Sequence, residues 1–503
     1  MNRQRVCVLT AVGIWLAGWL AQPAVGQEAE REAWSEVAPA ISYREWTLPG
    51  PVRVFVAAAD RAKDNWTIDT MTSMGTVQGG TETVPDMVTR YDDAADWQGR
   101  RHEIKVAING DYYNMRTGYA LGGQVIGGWF LKRFGEYSGS SGFVWCRDRR
   151  CFIGGNLRNG AEFQEVRFAD GGKMNIHRLN DARGKDELAL FTYQYAANTG
   201  TSDDGVEVLA RMAEPLAVFS PDDGARGKIV AVHRDKGSTV MPYDHVVLSG
   251  HGQAAERLLK AARVGQEVRV DLRLQDFGHE EGGLSPQNWR GAQASLGNPV
   301  ICLVNGKVTG QWEAKAERYA AEGRRHGSVV RDPRTAIAFN DQRVYFIVID
   351  GRMEQSVGMT FTEVAEFCRD QLQATGAVLQ DGGGSSTLWV DGKVRNVPST
   401  RDADGKPGKL RPVANGWYIA LEHDAQRSEA FAGRRAVRTA REAELRLGPG
   451  SQYTVATRLP AGQACSVLDH SLNGTYAKGT HWWNCRAAAH EGWLSEGDLA
   501  AAR

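Results

Sequence analysis

The sequence carries no net charge: 60 Lys and Arg offset 60 Asp and Glu. That removes the electrostatic footprint of a nucleic-acid binder and of a protein held on an anionic membrane surface. There is no Cys-x-x-Cys, which excludes a zinc ribbon and a thioredoxin-type redox centre. There is no Gly-x-Ser-x-Gly, and no Lys follows the triple glycine at 382–384. A serine esterase built on a nucleophile elbow and a P-loop nucleotide site therefore both lack their defining residues. No loop has the ligand spacing of a calcium hand. After the N-terminus no apolar run is long enough to span a bilayer, and no segment is biased enough to count as low-complexity.

What is present starts with length. A chain of 503 residues predicts two or three domains and a large core. Its 58 glycines point to many turns and strands rather than a helical bundle. Arg3 and Arg5, the apolar run Val6 to Leu20 and Ala24-Val25-Gly26 before Gln27 have the layout of a secretory signal peptide over 1–26. The sequence thus predicts an exported protein, periplasmic or secreted, with no membrane span in the mature chain. Removing Cys7 leaves six cysteines, an even number that suits an oxidising compartment. Proximity predicts the pairs Cys146–Cys151 and Cys465–Cys485. Cys302 and Cys368 remain, either as a third pair or with Cys368 as a buried thiol on a helix face. Six cysteines allow fifteen pairings, so spacing alone does not fix the set.

The most informative stretch is Asp381-Gly-Gly-Gly-Ser-Ser-Thr387, directly after the apolar strand Ala377-Val-Leu379. It puts a carboxylate at a strand end beside a loop of bare backbone, whose amides can form an anion cradle. Three further apolar runs bring polar groups to their ends. Lys105–Ile108 leads to Asn109 and Asp111, Arg334 heads Thr335–Phe339, and Val344–Ile349 leads to Asp350 and Arg352. Each alone has the simpler reading of a strand and its turn. Together they predict a site beyond the strand ends, with arginines suited to phosphoryl oxygens. His326, in the basic run with Arg324 and Arg325, reads as a solvated face. Thr360-x-x-Glu363 is a capping box for a helix that buries Phe361, Val364, Ala365, Cys368 and Leu372 and stops at Gly376. Residues 423–435 are polar and read as a linker. From 436 to 503, short alternating strands with Gly-Pro-Gly and Pro-x-Gly turns predict a small barrel. Trp482, Trp483 and Trp493 there either form a ligand surface or fill the barrel core.

These pieces resemble the phosphodiester glycosidase family. The matching segments are Asn-Gly-Asp-Tyr-Tyr (109–113), Arg-Thr-Ala-Ile-Ala (334–338), Asp-Gly-Arg-Met-Glu-Gln-Ser-Val-Gly (350–358), Thr-Glu-Val-Ala-Glu-Phe (362–367), Asp-Gly-Gly-Gly-Ser-Ser-Thr (381–387) and Val-Ala-Asn (413–415). Gln380 departs from the apolar residue the family has before its Asp-Gly-Gly-Gly. The resemblance implies an α+β fold: a large mixed β-sheet catalytic domain with packed helices over 27–422. The segment 436–503 resembles bacterial SH3-like domains, whose ligand is often cell-wall material. The implied reaction is hydrolysis of the glycosidic bond of a sugar-1-phosphodiester on a cell-envelope or extracellular glycan. Asp381, Asp350, Arg334 and Arg352 are then the catalytic candidates. Asn109, Asp111, Thr335, Glu354, Gly382, Gly383, Gly384, Ser385 and Asn415 are the substrate-binding candidates. No cofactor is required, and a divalent cation such as calcium is left open. The competing reading is a non-catalytic glycan- or cell-wall-binding protein directed by its SH3-like segment.

Overall fold

The computed structural model describes residues 33–135, 140–218, 224–279, 283–297, 299–310, 312–323 and 327–502. The signal-peptide segment and His326 lie outside the described residues.

Two antiparallel sheets form the frame that carries the site. The first runs, in spatial order, through Ser35–Ala38, Ile41–Leu48, Val52–Asp60, Arg343–Ile349, Arg334–Phe339, Gly376–Leu379, Val300–Val304 and Lys307–Val308. The second is built from Lys393–Val394, Leu388–Val390, Arg101–Asn109, Asn415–His423 and Trp66–Thr72. Side chains alternate across a strand, and here both faces of each sheet are apolar. Phe55, Ala57, Ile337, Phe346 and Val348 of the first sheet meet Ile68, Val106, Ile108, Trp417 and Ile419 of the second in one buried layer. The outer face of the first sheet, with Val54, Val56, Ala336 and Ile347, is covered by the helix Phe361–Leu372. The outer face of the second is covered by the helix Val84–Tyr91 through Val84, Met87 and Val88. The result is helix–sheet–sheet–helix, with strands buried on both faces and therefore continuously hydrophobic. No helix among the described residues is long and apolar enough to cross a membrane.

The Phe361–Leu372 helix has its capping box: Thr360 Oγ1 accepts from the Glu363 amide at 3.2 Å, and Glu363 Oε2 accepts from the Thr360 amide at 2.8 Å. It ends earlier than the sequence suggests. Gln373, at φ 54°, takes the left-handed position, and Asn340 Nδ2 donates to the carbonyls of Leu372 and Gln373. Gly376 instead opens the next strand, where a Cβ would sit 2.5 Å from the Phe339 ring.

Residues 121–296 supply two further sheets packed over a shared core that includes Val144, Phe168, Leu190, Val208, Leu248 and Trp289. None of the six cysteines described is bonded. Cys146 and Cys151 cannot pair, because they point to opposite faces of their hairpin. Cys151 stands opposite Trp145, one residue out of step with Cys146. Cys146 joins the core of Val144 and Phe152, whereas Cys151 packs against that of Phe143 and Trp145. Cys302 and Cys368 share one core as thiols, and Cys465 and Cys485 share another.

The C-terminal segment is a β unit with its own core of Phe431, Val437, Leu445, Trp483, Cys485 and Leu494. Its tryptophans offer no ligand surface, since Trp482, Trp483 and Trp493 are all buried. The linker is not a loose tether. Phe431 packs edge-on against Trp483 at 5.6 Å, and Arg427 reaches the carbonyls of Gln98, Ser471 and Asn473. Nor are the two parts loosely coupled. Trp482, Trp493, Leu472 and Tyr453 pack with Ala95, Trp97, Tyr193 and Tyr243 of the larger body. Across the same junction His470 Nε2 meets Asp244 Oδ2 at 3.0 Å.

Candidate active site

Three adjacent strand ends assemble the site. Asn109 closes its strand and is fully buried. Its Nδ2 donates to the Asp381 carbonyl at 2.7 Å, and its Oδ1 accepts from Thr335 Oγ1 at 2.8 Å and from the Thr387 amide at 3.1 Å. One asparagine thus ties the ends of both sheets together and fixes the glycine loop. Asn415 does similar work: its carbonyl accepts from the Gly110 amide and its Oδ1 from the Asp111 amide at 2.8 Å. These two residues and Thr335 spend their polar atoms on the frame, so they position the site. The exception is Asn415 Nδ2, which is buried with no protein partner.

The glycine loop expected to form an anion cradle winds into a single turn over Gly383–Ser385, which spends the Gly383 and Ser385 amides on backbone carbonyls. Gly383 N–H donates to the Pro333 carbonyl, Ser385 N–H to Gly382 and Ser386 N–H to Gly383. The glycines are needed for room. A Cβ at Gly382 would lie 2.7 Å from the Pro333 carbonyl oxygen, and one at Gly384 would lie 2.2 Å from Arg411 Nη2. Gly383 has φ +62° and sits against Arg352 Nη2.

Asp381 faces Ser385 and Arg411, and burial raises its pKa against those opposing influences. Asp111 is a near neighbour, held up to about 8 by burial first, with the Asp381 charge adding to it. One Asp111 oxygen accepts from the Gly122 amide, and the other is buried without a partner. Tyr112 lies between Asp381, Arg334 and Asp111, its phenol pushed up to about 12 by burial. Lys132, lowered to about 8 by burial, is the cation on the Asp111 side. Two carboxyls whose proton affinity burial raises, a phenol and a lysine therefore converge here.

Asp350 is not part of that pair. Its carboxylate is turned to Asn396 Nδ2 at 3.3 Å, the Val397 amide at 3.0 Å and Arg53 at 3.7 Å. Burial lifts it to about 6. Because Asn396 also donates to the Ser386 carbonyl at 3.0 Å, Asp350 braces the segment that follows the glycines. Arg334 has its guanidinium held by carbonyls, Nε on Met359 at 2.8 Å and Nη2 on Gly327 at 3.0 Å and Val330 at 2.6 Å, over the Phe361 ring. Its remaining Nη1 lies toward Gly382, 3.8 Å from where a Cβ would be. Arg352, at φ 62°, is half-exposed and makes a two-point pair with Asp332 at 2.7 and 2.8 Å. Glu354 is exposed in the turn Met353–Ser356 and makes no hydrogen bond or ion pair among the described residues. Gln380 is buried and accepts from Trp417 Nε1 at 3.4 Å, a polar contact inside an apolar layer.

Sequence reasoning missed Tyr112, Lys132 and Arg411. Tyr112 was within reach, being inside the Asn-Gly-Asp-Tyr-Tyr segment. Lys132 and Arg411 carry no local signal and arrive through the tertiary fold.

Residues 224–420 match the family model described as phosphodiester glycosidase. Among curated proteins none matches the chain in sequence. Solved structures similar to this chain include the following three. A Synechocystis protein aligns at TM-score 0.49 and 15% identity, over 78% of this chain and 64% of that one, so the match spans less than two thirds of its length. A Burkholderia pseudomallei protein aligns at 0.46 and 21% identity, over 73% and 74%. The catalytic domain of zebrafish N-acetylglucosamine-1-phosphodiester alpha-N-acetylglucosaminidase, auto-inhibited by its pro-peptide, aligns at 0.33 and 14%, over 78% and 85%. The family match supports a glycosidase-type hydrolase.

Proposed function

We propose that this chain is an exported hydrolase that cleaves the glycosidic bond of a sugar-1-phosphodiester, on a cell-envelope or extracellular glycan. The observation that carries the reading is the convergence of Asp381, Arg334 and Arg411, all within the residues that match the family, with Asp111 and Tyr112, which follow the Arg101–Asn109 strand. Hydrolysis breaks the bond between the anomeric carbon and the phosphate oxygen and forms one from that carbon to a water oxygen. The water gives up a proton, and the phosphomonoester leaves with its charge. Asp381 is assigned to accept that proton or to meet the anomeric carbon, and Asp111 to hold a proton near neutrality for the departing or sugar oxygen. Arg334 Nη1 and Arg411 match the phosphate charge, and a planar guanidinium fits phosphoryl oxygens better than an ammonium does. Asp350 and Asn109 hold the loop that presents Asp381. The burial of Trp482, Trp483 and Trp493 weakens the alternative of a binding protein directed by an SH3-like surface.

The test is a panel of sugar-1-phosphodiesters, with free sugar measured for the wild type and Asp381→Asn. The expected loss in turnover is about a hundredfold to ten-thousandfold with the fold unchanged. Near wild-type turnover in folded Asp381→Asn would remove Asp381 from the chemistry. Cleavage of a simple ester but of no phosphodiester would overturn the reaction class.

A further inference from the structure

At the far end of the strands that carry Asn109 and Asn415 lies a second cluster of polar side chains. His102 and Glu422 stand directly opposite each other across the two strands, and Asp96 comes from the turn before the first of them. One ligand-type atom from each lies within 4.8 Å of the other two. His102 is 5% exposed, and its Nε2 is buried without a hydrogen-bond partner. That nitrogen is aimed into the cluster, 4.0 Å from Asp96 Oδ2 and 3.8 Å from Glu422 Oε1. Its other nitrogen is fixed by Tyr418 Oη at 3.1 Å. With the Nδ1 proton donated to that oxygen, the Nε2 lone pair points at the two carboxylates. An orienting partner of this kind accompanies histidines that bind metals.

We propose that Asp96, His102 and Glu422 form a site for a divalent transition metal, with Zn²⁺ the best match. Imidazole nitrogen and carboxylate oxygen at about 2.0–2.2 Å are ordinary zinc ligands. At those lengths in a tetrahedron, ligand atoms stand roughly 3.4 Å apart, so the histidine's distances to the two carboxylates, 4.0 and 3.8 Å, need to contract by about half an ångström. The positive charge now between the carboxylates is Arg100, whose guanidinium meets Asp96 at 2.8 Å and Glu422 at 3.0 Å. Arg100 is about a third exposed, so it can swing outward as the metal enters. Seven residues of extended strand separate His102 from Asn109, about 23 Å, which places the metal away from the candidate active site. It lies instead where the chain leaves the larger body for the C-terminal unit, since Glu422 is followed at once by the linker. The metal's role there is to brace the junction.

The test is calorimetric titration of Zn²⁺ into the chelator-dialysed full chain, with thermal unfolding followed in parallel. One equivalent should bind with a dissociation constant at or below the micromolar range and raise the unfolding temperature. Glu422→Gln keeps the shape and should weaken that binding at least tenfold. Arg100→Ala removes the competing cation and should tighten it at least tenfold. Failure of both the wild type and folded Arg100→Ala to bind one equivalent would overturn the site. So would binding that Glu422→Gln leaves unchanged.

Discussion

Asp111, beside Asp381, departs far from a carboxyl's ordinary behaviour. Burial holds its carboxyl up to about 8, so it is mostly protonated at neutral pH. If it supplies a proton, activity should fall as pH rises through about 8. Asp111→Asn should lower turnover at neutral pH and flatten that alkaline limb, which a pH–rate profile of both proteins would read. Retention of the limb in the variant would assign it to Lys132 instead. A second buried carboxyl bears on stability. Asp69 is raised to about 7 by burial, so the folded state binds more protons than the unfolded state between about 4 and 7. Stability from this group is complete below about 4 and is lost as pH rises through 7. Asp69→Asn should make the denaturation midpoint less dependent on pH over that window. Arg334 is a third case. Its fork is held by three carbonyls at once, and Lys has no fixed fork to satisfy them. Leaving buried carbonyls unpaired costs about 1–3 kcal/mol, so Arg334→Lys should lower both thermal stability and turnover.

Among the elements, the short turn after Asp381 shows where sequence reading succeeds and where it stops. Its place after a buried strand was legible, because a carboxylate, three glycines and the preceding strand are all local. The partners of its amides were not. Whether a glycine's amide is free depends on which carbonyls arrive from elsewhere, and Pro333 arrives from another strand. The prediction follows from room rather than from amides. Gly384→Ala places a methyl 2.2 Å from Arg411 Nη2 and 2.4 Å from Thr400 Oγ1, so Arg411 must move. Turnover should fall by at least tenfold, while circular dichroism stays native. The cysteine hairpin has the same limit. The closeness of Cys146 and Cys151 in sequence suggested a bridge, but strand parity puts them on opposite faces. Peptide mapping without reduction should recover no Cys146–Cys151 cross-link. The strands themselves were readable because double burial makes them continuous apolar runs. Asp350 looked like Asp381's partner for the same local reason, yet its strand delivers it to Asn396 and Val397.

At the scale of the whole molecule, the coupling across the polar segment after Glu422 was not legible from composition. The polar linker suggested independent parts, whereas Trp97, Tyr193 and Tyr243 are covered by residues that come after it. A chain ending at Glu422 would leave those aromatic rings in water. It should unfold at a lower temperature than the full chain and bind a dye for exposed apolar surface. Native-like melting with no dye binding would show that the junction contributes little.

The same junction sets an order on the making of the protein. The Ala94–Trp97 region is synthesised long before Trp482 and Trp493, which must pack on it. At about 5–20 residues per second, the interval between residues 422 and 493 alone lasts roughly 4–14 seconds. Throughout that time the larger body carries an uncovered aromatic face, and Lys478 has yet to reach the carbonyls of Thr89 and Asp92 at the end of its first helix. Completion of the fold therefore waits on the synthesis of Leu472, Trp482 and Trp493. A nascent chain halted soon after residue 422 should still present that face to chaperones.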